Sequence, residues 1–381
     1  MRIAMIGTRG VPARYGGFET AIEEIGSRLA DAGHEVVVFC RTPEGQEKLQ
    51  TYKGMELVHL PSLPKRSLET LSHTARTVID SHLMGIDCAI VFNAANSPLL
   101  PAIRARRIPV ATHVDGLEWR RGKWSGTGQT YYRVAEQLAV RWSDALIADA
   151  QGIADYYTEE FHASTYKIAY GAPILRDPTY EKLEPLGVEP GRFHLAVARF
   201  EPENHILEIV QGYVASKAQH PLVVVGSAPY SDEYTSQIAA AADDRVKLVG
   251  GLWDQDQLDQ LYANSLTYLH GHSVGGTNPS LLRAGGAGAF TVAWDVDFNR
   301  EVVRGTGEYF STPEQLATIL EKVEGEPQRT RERGLELQAS MHRYDWDQVA
   351  TDYASLCEDL VARRFPRKRP SGKRHESRWS R

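Results

Sequence analysis

Glycines and short polar side chains interrupt the apolar runs of this sequence at places suited to binding an anion. The stretch HGHSVGGTNPSLLRAGG, residues 270–286, follows one apolar run and leads into a helical pattern. Pro279 suits the first turn of a helix, and the free amides of such a turn attract negative charge. We therefore predict that this turn holds the diphosphate of a bound nucleotide. The expected binding residues are Gly276, Thr277, Asn278, Ser280 and Leu281.

Two further stretches place phosphate- and base-binding side chains after apolar runs. In VARFEPENH, residues 197–205, Arg199 is placed to bind the same diphosphate with paired hydrogen bonds, with Asn204 five residues later. The alternative for Arg199 is a surface ion pair with a glutamate such as Glu203. In LVGGLWD, residues 248–254, Leu252 and Trp253 are placed to contact a nucleobase, although an indole packed in the core is the competing interpretation.

The first glycine-rich loop, GTRGVPARYGGFET at residues 7–20, precedes a helical pattern. Gly16 and Gly17 stand directly before that helix, where a phosphate is favoured. A tight turn without a ligand is the alternative. The spacing does not match the dinucleotide fingerprint G-x-G-x-x-G, and the second strand ends in Arg41 instead of an acidic residue, so a nicotinamide-dependent oxidoreductase is the weaker hypothesis.

The stretch ATHVDGLEWRRGKW, residues 111–124, places His113 and Asp115 after a strand, where either could orient an acceptor hydroxyl and Asp115 could take its proton. A strand-end histidine satisfied by the backbone is the alternative for His113, and Glu118 is a weaker acid–base candidate. Basic residues mixed with tryptophans suit an anionic bilayer surface, or form a solvated face. They are Arg104, Arg106, Arg107, Arg120, Arg121 and Lys123.

Metal and disulfide chemistry are not expected. The D-x-D motif Asp295-Val296-Asp297 directly follows an apolar strand and begins a helix, so we interpret it as a cap and not as a metal site. Cys40, Cys88 and Cys357 have no paired spacing and suit reduced core thiols. Reduced thiols, with no signal peptide and no apolar stretch of about 20 residues, predict a cytoplasmic protein.

Short apolar strands alternate with amphipathic helices twice along the chain, which predicts two parallel sheets covered on both faces. The chain of 381 residues is long enough for two domains, and its net charge of −6 argues against a nucleic-acid binder. From Arg363 onward nine Lys or Arg stand against one Glu, so we expect a disordered tail. The predicted parts are an N-terminal domain (1–170), a second domain (171–345), a helix (346–364) and the tail (365–381).

The motifs GTRGVPARYGGFET, HVDGLEWRRGKW, RFEPEN and HGHSVGGTNPSLL resemble the family 4 retaining glycosyltransferases of the GT-B fold, and within them the bacterial rhamnosyltransferase branch of polysaccharide synthesis. The resemblance implies an α/β protein of two Rossmann-like domains facing a cleft, with a last helix crossing back to the first domain. It implies a dTDP-β-L-rhamnose donor bound by the second domain, a lipid-linked saccharide acceptor bound by the first, and no metal or other cofactor. The implied acceptor contacts are Arg14, Tyr15, Glu118 and Trp119.

The sequence departs from the broader family at three donor positions. Gly275 and Arg283 stand where two glutamates, eight positions apart, are usual, and Asn204 replaces a lysine. Arg283 could add positive charge near the diphosphate, lie on an outer helix face, or signal lost activity. A nucleotide-sugar-binding protein without catalysis is therefore kept as the alternative to an active transferase.

Overall fold

The computed structural model describes residues 1–13, 17–42, 48–63, 69–114, 117–121, 124, 126–227, 232–365, 370–375, 377 and 379. The chain divides into two compact units. Unit 1 comprises Met1–Arg120, Trp124–Tyr170 and Trp346–Arg381, and unit 2 comprises Gly171–Asp345 with the short stretch Arg121–Lys123.

Unit 1 contains an eight-stranded sheet with the order β3-β4-β2-β1-β5-β6-β7-β8. All neighbouring strands pair in parallel except β3 and β4, which form an antiparallel pair. The strands are β1 (Arg2–Ile6), β2 (Glu35–Arg41), β3 (Thr51–Tyr52), β4 (Met55–Leu60), β5 (Cys88–Phe92), β6 (Val110–Val114), β7 (Ala145–Ala148) and β8 (Tyr166–Lys167).

Helices cover this sheet because nearly every side chain of its central strands is apolar and buried. They are α1 (Gly17–Asp31), α2 (Glu69–Thr77), α3 (Leu100–Ala105), α4 (Thr127–Trp142), α5 (Gln151–Phe161) and the last helix, α13 (Trp346–Val361). Helix α13 packs against α1, and an ion pair of 2.6 Å joins Asp347 to Arg28. Short 3-10 turns complete the unit.

Unit 2 contains a six-stranded, wholly parallel sheet with the order β11-β10-β9-β12-β13-β14. Counted within the unit this is 3-2-1-4-5-6, the Rossmann order. The strands are β9 (His194–Val197), β10 (Leu222–Val225), β11 (Val246–Gly250), β12 (Thr267–His270), β13 (Phe290–Trp294) and β14 (Glu308–Phe310). The helices are α6 (Ile206–Ala215), α7 (Asp232–Ala241), α8 (Gln255–Asn264), α9 (Pro279–Gly286), α10 (Asp297–Val303), α11 (Pro313–Gly325) and α12 (Pro327–Ser340).

The C-terminal tail differs from its expected disorder where the structure describes it. Arg374 is held by ion pairs of 2.6 Å to Glu136 and 2.9 Å to Glu160, both buried carboxylates of α4 and α5. Ser377 donates a hydrogen bond to Glu160, and the Trp379 ring packs edge-on against Tyr156. The tail was expected to be disordered because it is basic, but two buried carboxylates give one of its arginines a specific partner.

Candidate active site

The loops that carry the predicted diphosphate-binding residues of unit 2 meet at the point where its strand order reverses. Strands β9 and β12 are neighbours there, and their connections run in opposite directions along the sheet, which opens a crevice at their carboxyl ends. The loop after β9 carries Arg199, and the loop after β12 begins at Gly271. A Cβ on Gly271 would lie 2.0 Å from the carbonyl oxygen of Asn204, so only glycine permits this approach of the two loops.

Arg199 keeps its charge accessible in this crevice. Its side chain is 43% exposed, and its nearest ion-pair partner is Glu201 at 3.6 Å, a long contact. The predicted alternative, a surface ion pair with a neighbouring glutamate, is therefore found, with Glu201 as the partner and not Glu203. The Glu203 carboxylate is buried, and its two oxygens have no hydrogen-bond partner within the described residues. Burial raises the pKa of Glu203, and neighbouring Glu201 raises it further.

The side chain of Asn204 is hydrogen-bonded within the protein at both of its amide atoms. Its Nδ2 donates to the carbonyl oxygen of Arg199 at 2.9 Å, and its Oδ1 lies 2.9 Å from Nδ1 of His272. Both amide atoms thus make contacts within the protein that orient Arg199 and His272, and the predicted contact of Asn204 with a diphosphate stays a prediction. His272 was not among the predicted residues, although its position two residues after β12 was a usable signal.

The turn before α9 begins the helix at Pro279, as predicted. Asn278 is the N-cap, and its side-chain oxygen accepts the amide of Ser280 at 2.9 Å. That oxygen and the Ser280 amide are therefore used within the turn, and the predicted ligand contacts of the Asn278 and Ser280 side chains stay a prediction. Thr277 and Leu281 are buried, so Leu281 has only its backbone to offer.

Arg121, which lies near Gly275, adds a second cation to the predicted diphosphate-binding residues. Gly275 has a φ of +127°, and a Cβ built on it would lie 3.3 Å from Nε2 of His272 and 3.5 Å from Nη2 of Arg121. The sequence placed Arg121 on a membrane-facing patch. In the structure it belongs to unit 2. Burial lowers the pKa of His272, and the charges of Arg121 and Arg199 both lower it further, which places the two cations near that ring.

Arg283 is bound by an acidic side chain of the preceding helix. Its Nε and Nη2 lie 2.5 Å and 3.0 Å from the two carboxylate oxygens of Asp259 in α8. Both side chains are about one-fifth exposed, at 22%. This ion pair between two helices is a fourth arrangement of Arg283, which the sequence had not suggested.

Leu252 and Trp253 follow β11, and Asp254 caps helix α8 directly after them. Trp253 is 80% exposed, which excludes the interpretation of a core indole. A large aromatic ring in water at the carboxyl edge of a parallel sheet is available for stacking. Its role as a base-binding residue stays a prediction.

In unit 1, His113 lies in β6 and is fully buried among aromatic rings. It stacks between Phe92 and Tyr170, with ring centroids 5.7 Å and 5.6 Å away, and Phe18 meets it edge-on at 5.2 Å. Neither ring nitrogen has a hydrogen-bond partner within the described residues, so the backbone-satisfied alternative finds no support there. Burial lowers the pKa of His113 to about 3, which makes the imidazole neutral at pH 7.

Asp115, Gly16, Arg14 and Tyr15 lie outside the described residues, so the roles given to them remain those implied by the sequence. Gly17 is the first residue of α1.

The described part of the first loop uses its amides internally. The amide of Arg9 donates to Glu19 at 3.1 Å, and that of Ala13 donates to Glu23 at 2.7 Å. Two carboxylates on α1 thus occupy two amides of this loop, while the predicted phosphate contact at Gly16 and Gly17 stays a prediction. Arg41 at the end of β2 forms an ion pair of 2.8 Å with Glu69, and this gives no ribose-binding acid.

The predicted acceptor residues Glu118 and Trp119 lie in a short 3-10 turn after β6. Glu118 is buried and accepts a hydrogen bond of 3.2 Å from Nε1 of Trp124. The guanidinium groups of Arg120 and Arg133 lie 5.2 Å and 4.8 Å from the Trp119 ring. Arg120 is therefore engaged with the aromatic ring, and does not stand alone as a basic surface residue.

The D-x-D motif is not a cap in the predicted sense. Val296 holds the N-cap position of α10, and Asp295 binds Arg300 through two hydrogen bonds of 2.5 Å and 2.7 Å. Across the described ranges, no group of three or more His, Cys, Asp or Glu side chains is placed to hold a metal ion.

The chain resembles known proteins in sequence over residues 16–170 and in structure over most of its length. Residues 16–170 match the model of the glycosyl transferase 4-like domain. Among curated proteins, none matches the chain in sequence. The structure of a sucrose-phosphate synthase from Thermosynechococcus elongatus superposes with a TM-score of 0.81 at 18% identity, covering 95% of this chain and 99% of that one.

Two further structures align over the same extent. HepE from Anabaena, in complex with UDP-glucose, gives a TM-score of 0.76 at 21% identity, covering 94% of this chain and 100% of that one. The trehalose-6-phosphate synthase OtsA gives 0.71 at 11% identity, with coverages of 94% and 99%. These likenesses, with the two Rossmann-like sheets, confirm the predicted GT-B glycosyltransferase fold.

Proposed function

We propose that this protein is a retaining glycosyltransferase that binds a nucleoside diphosphate sugar at the carboxyl edge of the unit 2 sheet. The observation that carries the proposal is the pair of loops at the β9–β12 reversal, where the charges of Arg199 and Arg121 both act on His272 and Gly275 lies four residues before the start of α9. Two cations and a helix terminus suit a diphosphate. The match of residues 16–170 to a glycosyl transferase domain supports the same assignment.

The donor is proposed from two sources. The sequence motifs resemble rhamnosyltransferases, which favours dTDP-β-L-rhamnose. HepE was crystallised with UDP-glucose, which makes a UDP-hexose the alternative. Trp253, exposed after β11, is the residue proposed to stack on the base of either nucleotide.

Departure of the nucleoside diphosphate places negative charge on its oxygens in the transition state. Arg199 and Arg121 are proposed to stabilise that charge, which takes the place of a metal cation. The neutral His113 and, by resemblance, Asp115 are proposed to orient the acceptor hydroxyl, and either Asp115 or the departing phosphate takes its proton.

A lipid-linked saccharide is the proposed acceptor, which would require contact with a membrane. Within the described part of the chain, no helix is long and apolar enough to cross one. The proposed contact is peripheral, on the cytoplasmic face, through basic residues such as Arg106 and Arg107. Flotation of the protein with anionic vesicles at low salt, reversed at high salt, would support it. Absence of flotation at low salt would exclude it.

Sugar-nucleotide binding without catalysis is the second candidate. Gly275 and Arg283 occupy the positions of two family glutamates, and the Arg283 charge is already bound by Asp259. Hydrolysis or transfer of the donor sugar, measured as release of nucleoside diphosphate, separates a transferase from a binding protein.

Calorimetric titration with dTDP, UDP, GDP and NADP, followed by dTDP-rhamnose and UDP-glucose, tests the proposal. We expect binding of dTDP or UDP that falls at least tenfold in Arg199→Ala, because a charged hydrogen-bonding partner contributes about 1.5–3 kcal/mol. Arg192→Ala is the matched control, since Arg192 is exposed and pairs with Glu189 elsewhere in unit 2. Binding of NADP alone would overturn the proposal.

A further inference from the structure

The orientation of the Asn204 side chain determines which nitrogen of His272 carries a proton. Nδ2 of Asn204 donates to the carbonyl oxygen of Arg199, which leaves Oδ1 facing His272. An amide oxygen only accepts hydrogen bonds, so Nδ1 of His272 must donate across the 2.9 Å contact. The Nδ1–H tautomer of a neutral ring leaves Nε2 with a free lone pair.

The environment of His272 keeps that ring neutral. Burial lowers the pKa of His272 well below its ordinary value, and the nearby charge of Arg121 lowers it further. The residue is also fixed in place, because its carbonyl oxygen accepts a hydrogen bond of 2.9 Å from Nδ2 of Asn299. Nε2 is therefore a preset acceptor in a rigid loop.

Nε2 of His272 lies beside Gly275, the position in the turn that has no side chain. Nε2 of His272 would lie 3.3 Å from a Cβ at Gly275, and Gly275 has no side chain to occupy that space. A phosphate oxygen is itself an acceptor and would be repelled by the lone pair, whereas Arg199 and Arg121 attract it. The group that suits Nε2 is a hydroxyl, which donates a hydrogen bond.

We propose that Nε2 of His272 accepts a hydrogen bond from a hydroxyl group on the transferred sugar of the donor, and so helps select that sugar. The inference rests on the proposed function, because it requires the diphosphate of a nucleotide sugar to occupy the Arg199 crevice. It assigns the cations to the diphosphate and the neutral histidine to the sugar.

A matched pair of substitutions tests this role. In His272→Asn, the side-chain Nδ2 replaces the Nδ1 donor and keeps the bond to Asn204, while the acceptor at Nε2 is lost. In His272→Gln, the longer amide can return an acceptor to the Nε2 position. His220→Asn is the control. It makes the same exchange just before β10, at the amino ends of the strands, whereas the proposed site lies at their carboxyl ends.

Calorimetry of each variant with the nucleoside diphosphate and with its sugar nucleotide measures the effect. We expect His272→Asn to weaken sugar-nucleotide binding roughly threefold to tenfold, the range for one hydrogen bond, and to leave nucleoside diphosphate binding unchanged. We expect His272→Gln to recover part of the loss and His220→Asn to lose nothing.

The outcomes separate the two proposals. If the wild-type protein binds the sugar nucleotide and His272→Asn binds it equally well, the role of His272 is wrong and the proposed function stands. If His272→Asn weakens the nucleoside diphosphate and the sugar nucleotide equally, the contact is to the nucleotide and the sugar assignment is wrong. If the wild-type protein binds no sugar nucleotide, both proposals fall.

Discussion

Arg283 and Asp259 form a two-pronged ion pair that joins α9 to α8, with contacts of 2.5 Å and 3.0 Å. The pair lies on the helix whose amino end faces the proposed diphosphate. Because Asp259 accepts hydrogen bonds from both Nε and Nη2 of Arg283, the charge of Arg283 is paired before any ligand binds. The pair therefore links α8 to α9 and stabilises the packing of these two helices.

Asp259→Asn and Arg283→Gln should each lower the free energy of unfolding by about 1 kcal/mol, since each breaks a partly buried, bidentate pair. The double variant should lose less than the sum, because the pair is lost only once. Urea denaturation followed by circular dichroism measures these values. Nucleoside diphosphate affinity should stay within about twofold of wild type in Arg283→Gln, and a tenfold loss would instead place Arg283 at the diphosphate.

Trp253 provides an optical probe of the proposed base site. Because its indole is exposed, stacking of a nucleobase should quench its fluorescence and shift the emission to shorter wavelength. Trp253→Ala should weaken nucleotide binding by about 0.5–1.5 kcal/mol, the usual contribution of an aromatic pair. Tyr180→Ala, which removes another exposed ring of unit 2, is the control. Nucleotide binding that leaves the Trp253 signal unchanged would argue against stacking.

Arg374 should contribute more to stability than an ordinary tail residue. Arg374→Ala leaves the buried Glu136 and Glu160 carboxylates without their cation, which should cost about 3–5 kcal/mol. Lys373→Ala, an exposed neighbour, should cost nearly nothing. Thermal unfolding of the full chain compares the two variants, and equal melting temperatures would mean that the tail contact adds no stability.

The lowered pKa of the Glu324 carboxyl group predicts that the folded protein loses stability in acid. Although burial opposes it, hydrogen bonds from His194 and from the amides of Gln219 and His220 lower the pKa of Glu324 to about 2. A lowered native pKa contributes stability above the unfolded value of 4.5, and that stability is lost as pH falls from about 4.5 toward 2. Glu324→Gln should therefore show a flatter decline in unfolding free energy over this window, measured by denaturation at successive pH values. An unchanged slope would contradict the assignment.

The strands were predictable because each buried run is short, apolar and bounded by turns. Runs such as RIAMIG and PLVVVG became β1 and β10, and Pro279 marked the start of α9. Strands β3 and β14 were missed because they are only two and three residues long. The run KIAYG, residues 167–171, also has the pattern of a strand, but β8 covers Tyr166–Lys167 and shares only Lys167 with that run.

The site was predicted as a set of loops, but not as a set of contacts. The position of Arg199 follows from the end of a strand, whereas the engagement of both Asn204 amide atoms depends on a histidine 68 residues away along the chain. Likewise, Glu136 and Glu160 are ordinary helical glutamates in sequence, and only the fold brings them to Arg374. Such pairings depend on tertiary geometry and leave no local pattern.

Unit 1 is built from segments that lie on both sides of residues 171–345 in the sequence, and this affects when it can fold during synthesis. Its sheet is encoded by the first 170 residues, but α13 and the Arg374 contact come from the last part of the chain. During translation, residues 171–345 emerge before α13, so unit 1 reaches its final form only after this part of unit 2 has been synthesised. A stop codon just after residue 345 would therefore leave unit 2 fully encoded and remove a helix from unit 1.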